Sequence, residues 1–191
     1  MSEKKENASR FLRNCIFEAL ILLMKQKPYD DIAISEITNR AGVSRMTYYR
    51  TYTSKEDILI QYFQDSRPEY LPAGLNGAEE PLRVWVHAVL QASAAMRQTL
   101  LLISQNCNLH DRVHRYFLDE TEKVLNQLYH IAEQGDGLTM NYVAGGVAQA
   151  ISFWIHHECQ PPLAETEEIL LNLLYTVLQK PHAYKKTDDA A

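Results

Sequence analysis

Apolar positions along this chain fall into helical stripes, three and four residues apart, and no stretch shows the period-two alternation of a strand. From Ser9 to Lys27, Leu12, Cys15, Ile16, Ala19, Leu20 and Leu23 form one face, behind a polar arm expected over 1–8. Pro28-Tyr29-Asp30-Asp31 ends that helix. Ile34, Ile37 and Ala41 share one face of a short second helix, and Tyr48 and Tyr52, four apart, share one face of a third from Arg45 to Tyr52. Ser54 is expected to cap a fourth, to Ser66, with Ile58, Leu59, Tyr62 and Phe63 inward. Pro68, Pro72, Gly74 and Gly77 make 67–80 a linker. Beyond it, Pro81 suits a first helical turn, and 81–105 reads as helix with a break expected near Arg97. A long helix follows from Asp111 to Gln134, stopped at Gly135-Asp136-Gly137. Thr139 is expected to cap a helix to Glu158, ended by Pro161-Pro162, and Thr166 to cap a last one to Gln179, ahead of a polar tail.

Residues 41–59, AGVSRMTYYRTYTSKEDIL, carry the chemistry. Gly42 stands where a helix commonly ends on a left-handed residue. Val43 plugs the corner, and Ser44 can cap the next helix. With Tyr48 and Tyr52 inward, Arg45, Met46, Thr47, Tyr49 and Arg50 point outward. Arginine reads guanine bidentately, and hydroxyls reach phosphate oxygens. Acids follow at Glu56 and Asp57, where a helix dipole favours them. Lys55 beside them makes electrostatic sense if a phosphate sits there. This is the pattern of a helix-turn-helix whose second helix lies in a DNA major groove. The fold class is all-α: an N-terminal three-helix helix-turn-helix domain over 1–66 and a C-terminal helical domain over 67–191.

The first 63 or so residues resemble the DNA-binding domain of TetR family transcriptional regulators. Tyr29, Ile34, Ile37, Ala41, Gly42, Val43, Ser44, Thr47, Tyr49, Tyr52, Ser54, Lys55, Glu56 and Leu59 stand in register with that family's pattern. The resemblance implies base contacts from Arg45, Met46, Thr47 and Arg50, and phosphate contacts from Ser44, Tyr49, Thr51 and Lys55. Three positions depart from it. Ala33 replaces a Thr cap, a role Ser35 could partly take. Tyr48 replaces a buried leucine, so its hydroxyl is expected to reach solvent or a partner. Thr51 stands where His is frequent.

Charge divides between the two parts. The chain of 191 residues has a net charge of −5. Residues 1–67 carry 11 basic against 9 acidic side chains, a balance of +2, and residues 68–191 carry 8 against 15, a balance of −7. The mild excess in the first part fits selective DNA contact rather than sequence-blind coating, which needs a strongly basic surface. Cys15, Cys107 and Cys159 lie far apart, which implies neither a disulfide framework nor a paired metal site. The charged N-terminus and the absence of any long apolar run lead to the expectation of a cytoplasmic chain without a membrane partner.

In the second part, Val143, Val147, Ala150, Ile151 and Trp154 form one stripe, and Leu170, Leu173, Leu174 and Val177 another. Ala144-Gly145-Gly146 permits close approach of a neighbouring helix. The residues alone leave an intramolecular core and a subunit interface equally open. The resemblance favours the interface, with these residues and Gly146 in a homodimer whose last two helices form a four-helix bundle on a palindromic operator. It also implies a small-molecule effector, of unknown identity, between the remaining helices. Trp85, His87, Met96, Leu100, Tyr116, Phe117 and Tyr129 are the candidates for its pocket, and no other cofactor is expected. An AGG helix of this kind occurs in a Gram-positive subgroup that includes an activator, so a ligand-released repressor is the default sign and an activator the alternative. A coactivator that has lost autonomous DNA binding is a further alternative. His110 and His114 are four apart and could hold a metal, as could His156-His157-Glu158-Cys159. A solvated helix start and a helix end account for them, and no metal site is assigned. No catalytic residues are assigned either, because the chain has no Gly-rich phosphate loop, GxSxG or HExxH.

Overall fold

The computed structural model describes residues 3–67, 80–129 and 137–178. These form nine α-helices with no strand among the described residues: α1 Glu3–Met24, α2 Ile34–Ala41, α3 Arg45–Thr51, α4 Glu56–Asp65, α5 Pro81–Ala95, α6 Arg97–Ser104, α7 Cys107–Tyr129, α8 Gly137–His156 and α9 Leu163–Leu178. A single 3₁₀ turn, Tyr29–Asp31, joins α1 to α2. The all-α expectation holds, and most boundaries follow the capping chemistry. The linker expected at 67–80 lies almost wholly outside the described residues, as does the predicted stop at 135–136.

Four local expectations are corrected. The arm expected over 1–8 is helical from Glu3. α7 begins at Cys107 rather than Asp111, because the Asn106 side chain caps it by accepting from the Leu109 N–H at 2.9 Å. α8 begins at Gly137, so Thr139 lies inside it rather than capping it. Thr166 likewise lies one turn inside α9. The Pro162 carbonyl already accepts from Thr166 N, and the Thr166 hydroxyl donates to the Pro161 and Pro162 carbonyls.

The break expected near Arg97 falls at Met96, the one residue between α5 and α6. At the head of α2, the Glu36 carboxylate accepts from the Ala33 N–H at 2.9 Å. That bond satisfies the N–H of the N-cap residue itself, whereas the missing Thr hydroxyl would accept from a first-turn N–H. No side chain caps α2 in that way among the described residues. Lys27 pairs with the same Glu36 oxygen at 2.6 Å.

Two apolar clusters organise the helices. The first joins α1 to α4, with Ile16, Leu20, Ile37, Tyr48, Leu59 and Phe63 among its buried members. It also takes in Ile103, Leu109 and Val113 from α6 and α7, so the helix-turn-helix rests on the second part of the chain. The second cluster packs α5, the end of α7, α8 and α9 around Leu82, Trp85, Leu125, Trp154 and Leu171. α7 therefore belongs to both clusters.

Candidate nucleic-acid interface and the cavity behind it

The reading head is built from α2 and α3. Gly42 ends α2 at φ +69°, the left-handed region that glycine enters without a Cβ clash, and the next N–H, of Val43, returns to the Thr38 carbonyl at 3.0 Å. Ser44 caps α3 by accepting from the Thr47 N–H at 3.1 Å. One face of α3 is anchored by Tyr48 and Tyr52, both buried in the first cluster. The opposite face presents Arg45, Met46, Tyr49, Arg50 and Thr51 to solvent. The contrast is sharpest at adjacent tyrosines: Tyr48 is 0 % exposed and Tyr49 60 %.

Among the described residues, Arg45 and Arg50 form no ion pair, so both guanidinium groups are available. The hydroxyls are more committed. Ser44 Oγ and Thr47 Oγ1 lie 2.9 Å apart, and the Thr51 hydroxyl donates back to the Thr47 carbonyl at 3.2 Å.

Lys55, expected at a phosphate, is partly engaged within the chain. Its Nζ donates to the Tyr29 and Ile32 carbonyls, both at 2.9 Å, and sits 4.4 Å over the Tyr29 ring. Tyr29 in turn donates its hydroxyl to Glu56 at 2.9 Å. The Lys-Glu pair thus clasps the start of α4 to the 3₁₀ turn, and two of the three ammonium protons are already spent. Burial, with Glu56 beside it, pushes the Tyr29 phenol well above its ordinary range, so it stays a donor. Tyr48 also departs from expectation. Its hydroxyl reaches neither solvent nor a partner, and with that of Tyr52 it is buried without a hydrogen bond among the described residues. Burial pushes the Tyr52 phenol up to about 12.

Residues 16–62 match the profile of "Bacterial regulatory proteins, tetR family". This is a TetR-type helix-turn-helix domain. No curated protein matches the chain in sequence. Two solved structures share the fold along most of its length. The dihydroxyacetone kinase operon activator DhaS has a TM-score of 0.63 at 17% identity, over 88% of this chain and 96% of that one. The fatty acid degradation regulator FadR from Bacillus halodurans has a TM-score of 0.61 at 21% identity, over 89% and 97%. At these identities the likeness is one of fold. Among the described residues, no helix is long and apolar enough to cross a membrane.

Behind the TetR-type domain, α5, α6, α7 and α8 surround a cavity with about 110 Å³ open to the centre of a water-sized sphere. Of the expected pocket residues, Trp85, Leu100 and Phe117 line it. His87 turns instead to Glu167 on α9, with Nδ1 2.8 Å from the carboxylate. Met96 and Tyr116 pack on the first cluster and Tyr129 on the second.

Two stripe residues expected at a dimer interface, Val147 and Ile151, line the cavity. Val143, Trp154, Leu170 and Leu174 are likewise buried in the chain's own core, and Ala150 and Val177 are half-buried against it. Of the predicted interface only Gly146 and Leu173 are exposed. The outward apolar stripe shares only Leu173 with the predicted one and consists of Leu138, Tyr142 and Phe153 on α8 with Ile169 and Leu173 on α9. It was hard to see because Gly145, Gly146 and Gln149 interrupt it in sequence. Five of the cavity's polar members, Ser104, His110, His114, Ser152 and His156, were missed as a group because they come from three helices. Their sequence signals were the spacing of His110 and His114, whose rings stack at 5.6 Å, and the His156-His157 pair.

Proposed function

We propose that this protein is a sequence-specific DNA-binding transcriptional regulator that binds a palindromic operator as a homodimer and is released by a small ligand. The observation that carries the reading is the division of α3. One face is locked into the core by Tyr48 and Tyr52, while the other offers Arg45, Met46, Tyr49 and Arg50, with both guanidinium groups in no ion pair among the described residues. A rigid helix with a free basic and apolar face suits guanine edges, thymine methyls and flanking phosphates.

Homodimerisation is supported by the stripe of Tyr142, Phe153, Ile169 and Leu173, large apolar side chains left in solvent on the last two helices. Two-fold symmetry predicts half-sites about one DNA turn apart, roughly 34–36 Å. Ligand release is supported by α7, which lines the cavity with Phe117 and packs the same ring on Phe63 of α4. A ligand favouring the released arrangement lowers operator affinity by linkage. Repression is the default sign, and the fold neighbour named as an operon activator keeps activation as the second reading.

Selection of duplexes from a random pool, then titration of the winner at several salt concentrations, tests the proposal. Enrichment of a palindrome, bound by a dimer with affinity falling steeply in salt, is the expected result. Failure of ligand-stripped protein to enrich any duplex refutes it.

A further inference from the structure

The cavity's proton bookkeeping carries one step beyond this reading, and it rests on treating the cavity as the effector site. The walls are mainly apolar, with Trp85, Val124 and Val147 buried at its inner part. Ser93, Glu120 and Thr121 stand apart along α5 and α7. Five polar members, Ser104, His110, His114, Ser152 and His156, gather where the end of α6, the first turns of α7 and the end of α8 meet. There His156 Nε2 lies 3.3 Å from Ser104 Oγ.

Each partner's own hydrogen has a nearer acceptor elsewhere. His156 Nδ1 is 2.7 Å from the Ser152 carbonyl, which only accepts, so Nδ1 carries the proton. Ser104 donates its own hydrogen to the Leu101 carbonyl at 2.8 Å. With a neutral imidazole, Nε2 and Oγ then face each other as two acceptors with no hydrogen between them. Among the described residues lining the cavity there is no lysine or arginine. Its one carboxylate, Glu120, is held by Lys123 at 2.8 Å and Arg67 at 2.6 Å. Burial, with His110 alongside, holds His114 below its ordinary range.

We infer that the effector is a small uncharged amphipathic molecule, about one ring in size, whose hydroxyl donates to the paired acceptors of His156 and Ser104 while its apolar body lies toward Trp85. The size follows from the volume, since an apolar protein cavity of about 150 Å³ holds benzene. An anionic head finds no lysine or arginine among the described lining residues, and a head without a donor forgoes the hydrogen bond to these acceptors.

Calorimetric titration of the full chain with phenol, anisole and benzoate, at about pH 8 where histidine is neutral, tests the inference. Phenol should bind about tenfold or more tighter than anisole, its methyl ether, and tighter than benzoate. His156→Ala, at an exposed position, and Ser104→Ala should each narrow the gap between phenol and anisole to about threefold or less. Equal binding of phenol and anisole, preference for benzoate, absence of phenol binding, or an unchanged gap in both variants would overturn it. Duplex selection on the same preparation separates the two ideas. Donor-dependent phenol binding without any enriched duplex removes the regulator and keeps the cavity chemistry, and an enriched palindrome with no phenol preference does the reverse.

Discussion

Phe117 meets Phe63 edge to face at a ring separation of 4.9 Å, and Phe117 also lines the cavity, so one side chain touches both the occupant's space and the helix that carries the reading head. Around it, Arg112 on α7 reaches Asp57 at the start of α4 at 3.2 Å, and Asn106 reaches Asp30 at 3.0 Å. Contiguous packing between the cavity and α4 runs through α7, with the aromatic pair at its centre and polar contacts on its rim.

Phe117→Leu should preserve the fold at a cost of roughly 1 kcal/mol, since volume is largely kept while the ring contact is lost. Operator affinity of the free protein should change little, whereas the loss of affinity on adding phenol should shrink at least threefold. Denaturant titration and operator binding with and without phenol check both halves.

The two adjacent tyrosines of α3 should separate stability from recognition. Tyr48→Phe removes a buried hydroxyl that has no partner among the described residues. It should leave stability unchanged or raise it by up to about 1 kcal/mol, with operator binding intact. Tyr49→Ala, at an exposed site, should leave the melting temperature unchanged and weaken operator binding. The reverse pattern would contradict the orientation of α3.

Arg13 holds Asp65 bidentately, at 2.6 and 3.0 Å, joining α1 to the end of α4 with both side chains largely shielded. Asp65→Ala should cost about 1–3 kcal/mol in chemical denaturation, because it leaves a half-buried guanidinium without its paired acceptor.

Asp57 supplies a pH dependence. Burial pushes its carboxyl up, but hydrogen bonds from Thr53 and Ser54 outweigh that and hold it below the ordinary carboxylate range. A depressed native pKa contributes stability that is fully present above the unfolded value of about 3.9 and is lost as pH falls through the native value. Asp57→Asn should therefore lose stability at neutral pH and show a flatter acid limb. Melting temperatures from neutral pH down to about pH 3 measure this, and parallel curves for the two proteins would rule Asp57 out.

Leu173→Glu places a charge on the outward stripe of α9 without touching the core. Sedimentation equilibrium should find a folded monomer with operator affinity reduced by orders of magnitude, because each half-site is then bound alone. A Val143→Ala change, aimed at the buried stripe, should instead reduce stability by about 1–3 kcal/mol and leave the dimer.

The sequence by itself determined the helices, the turn between α2 and α3 and the outward face of α3. Those features are set by near neighbours: a glycine at positive φ, a serine capping the residue three ahead, and two tyrosines one turn apart. Tertiary structure decided which apolar stripe of α8 and α9 faces inward. Both helices are apolar on more than one side, and periodicity cannot say which side finds a partner within the chain. Val147 at 5 % exposure and Phe153 at 57 % are separated only by packing against α5 and α7. The same holds for Lys55, whose helix-start position suggests a phosphate, while only the folded chain brings the Tyr29 and Ile32 carbonyls to two of its ammonium hydrogens. It holds too for the His156 and Ser104 acceptors, which are 52 residues apart in the chain and meet only because three helix ends converge.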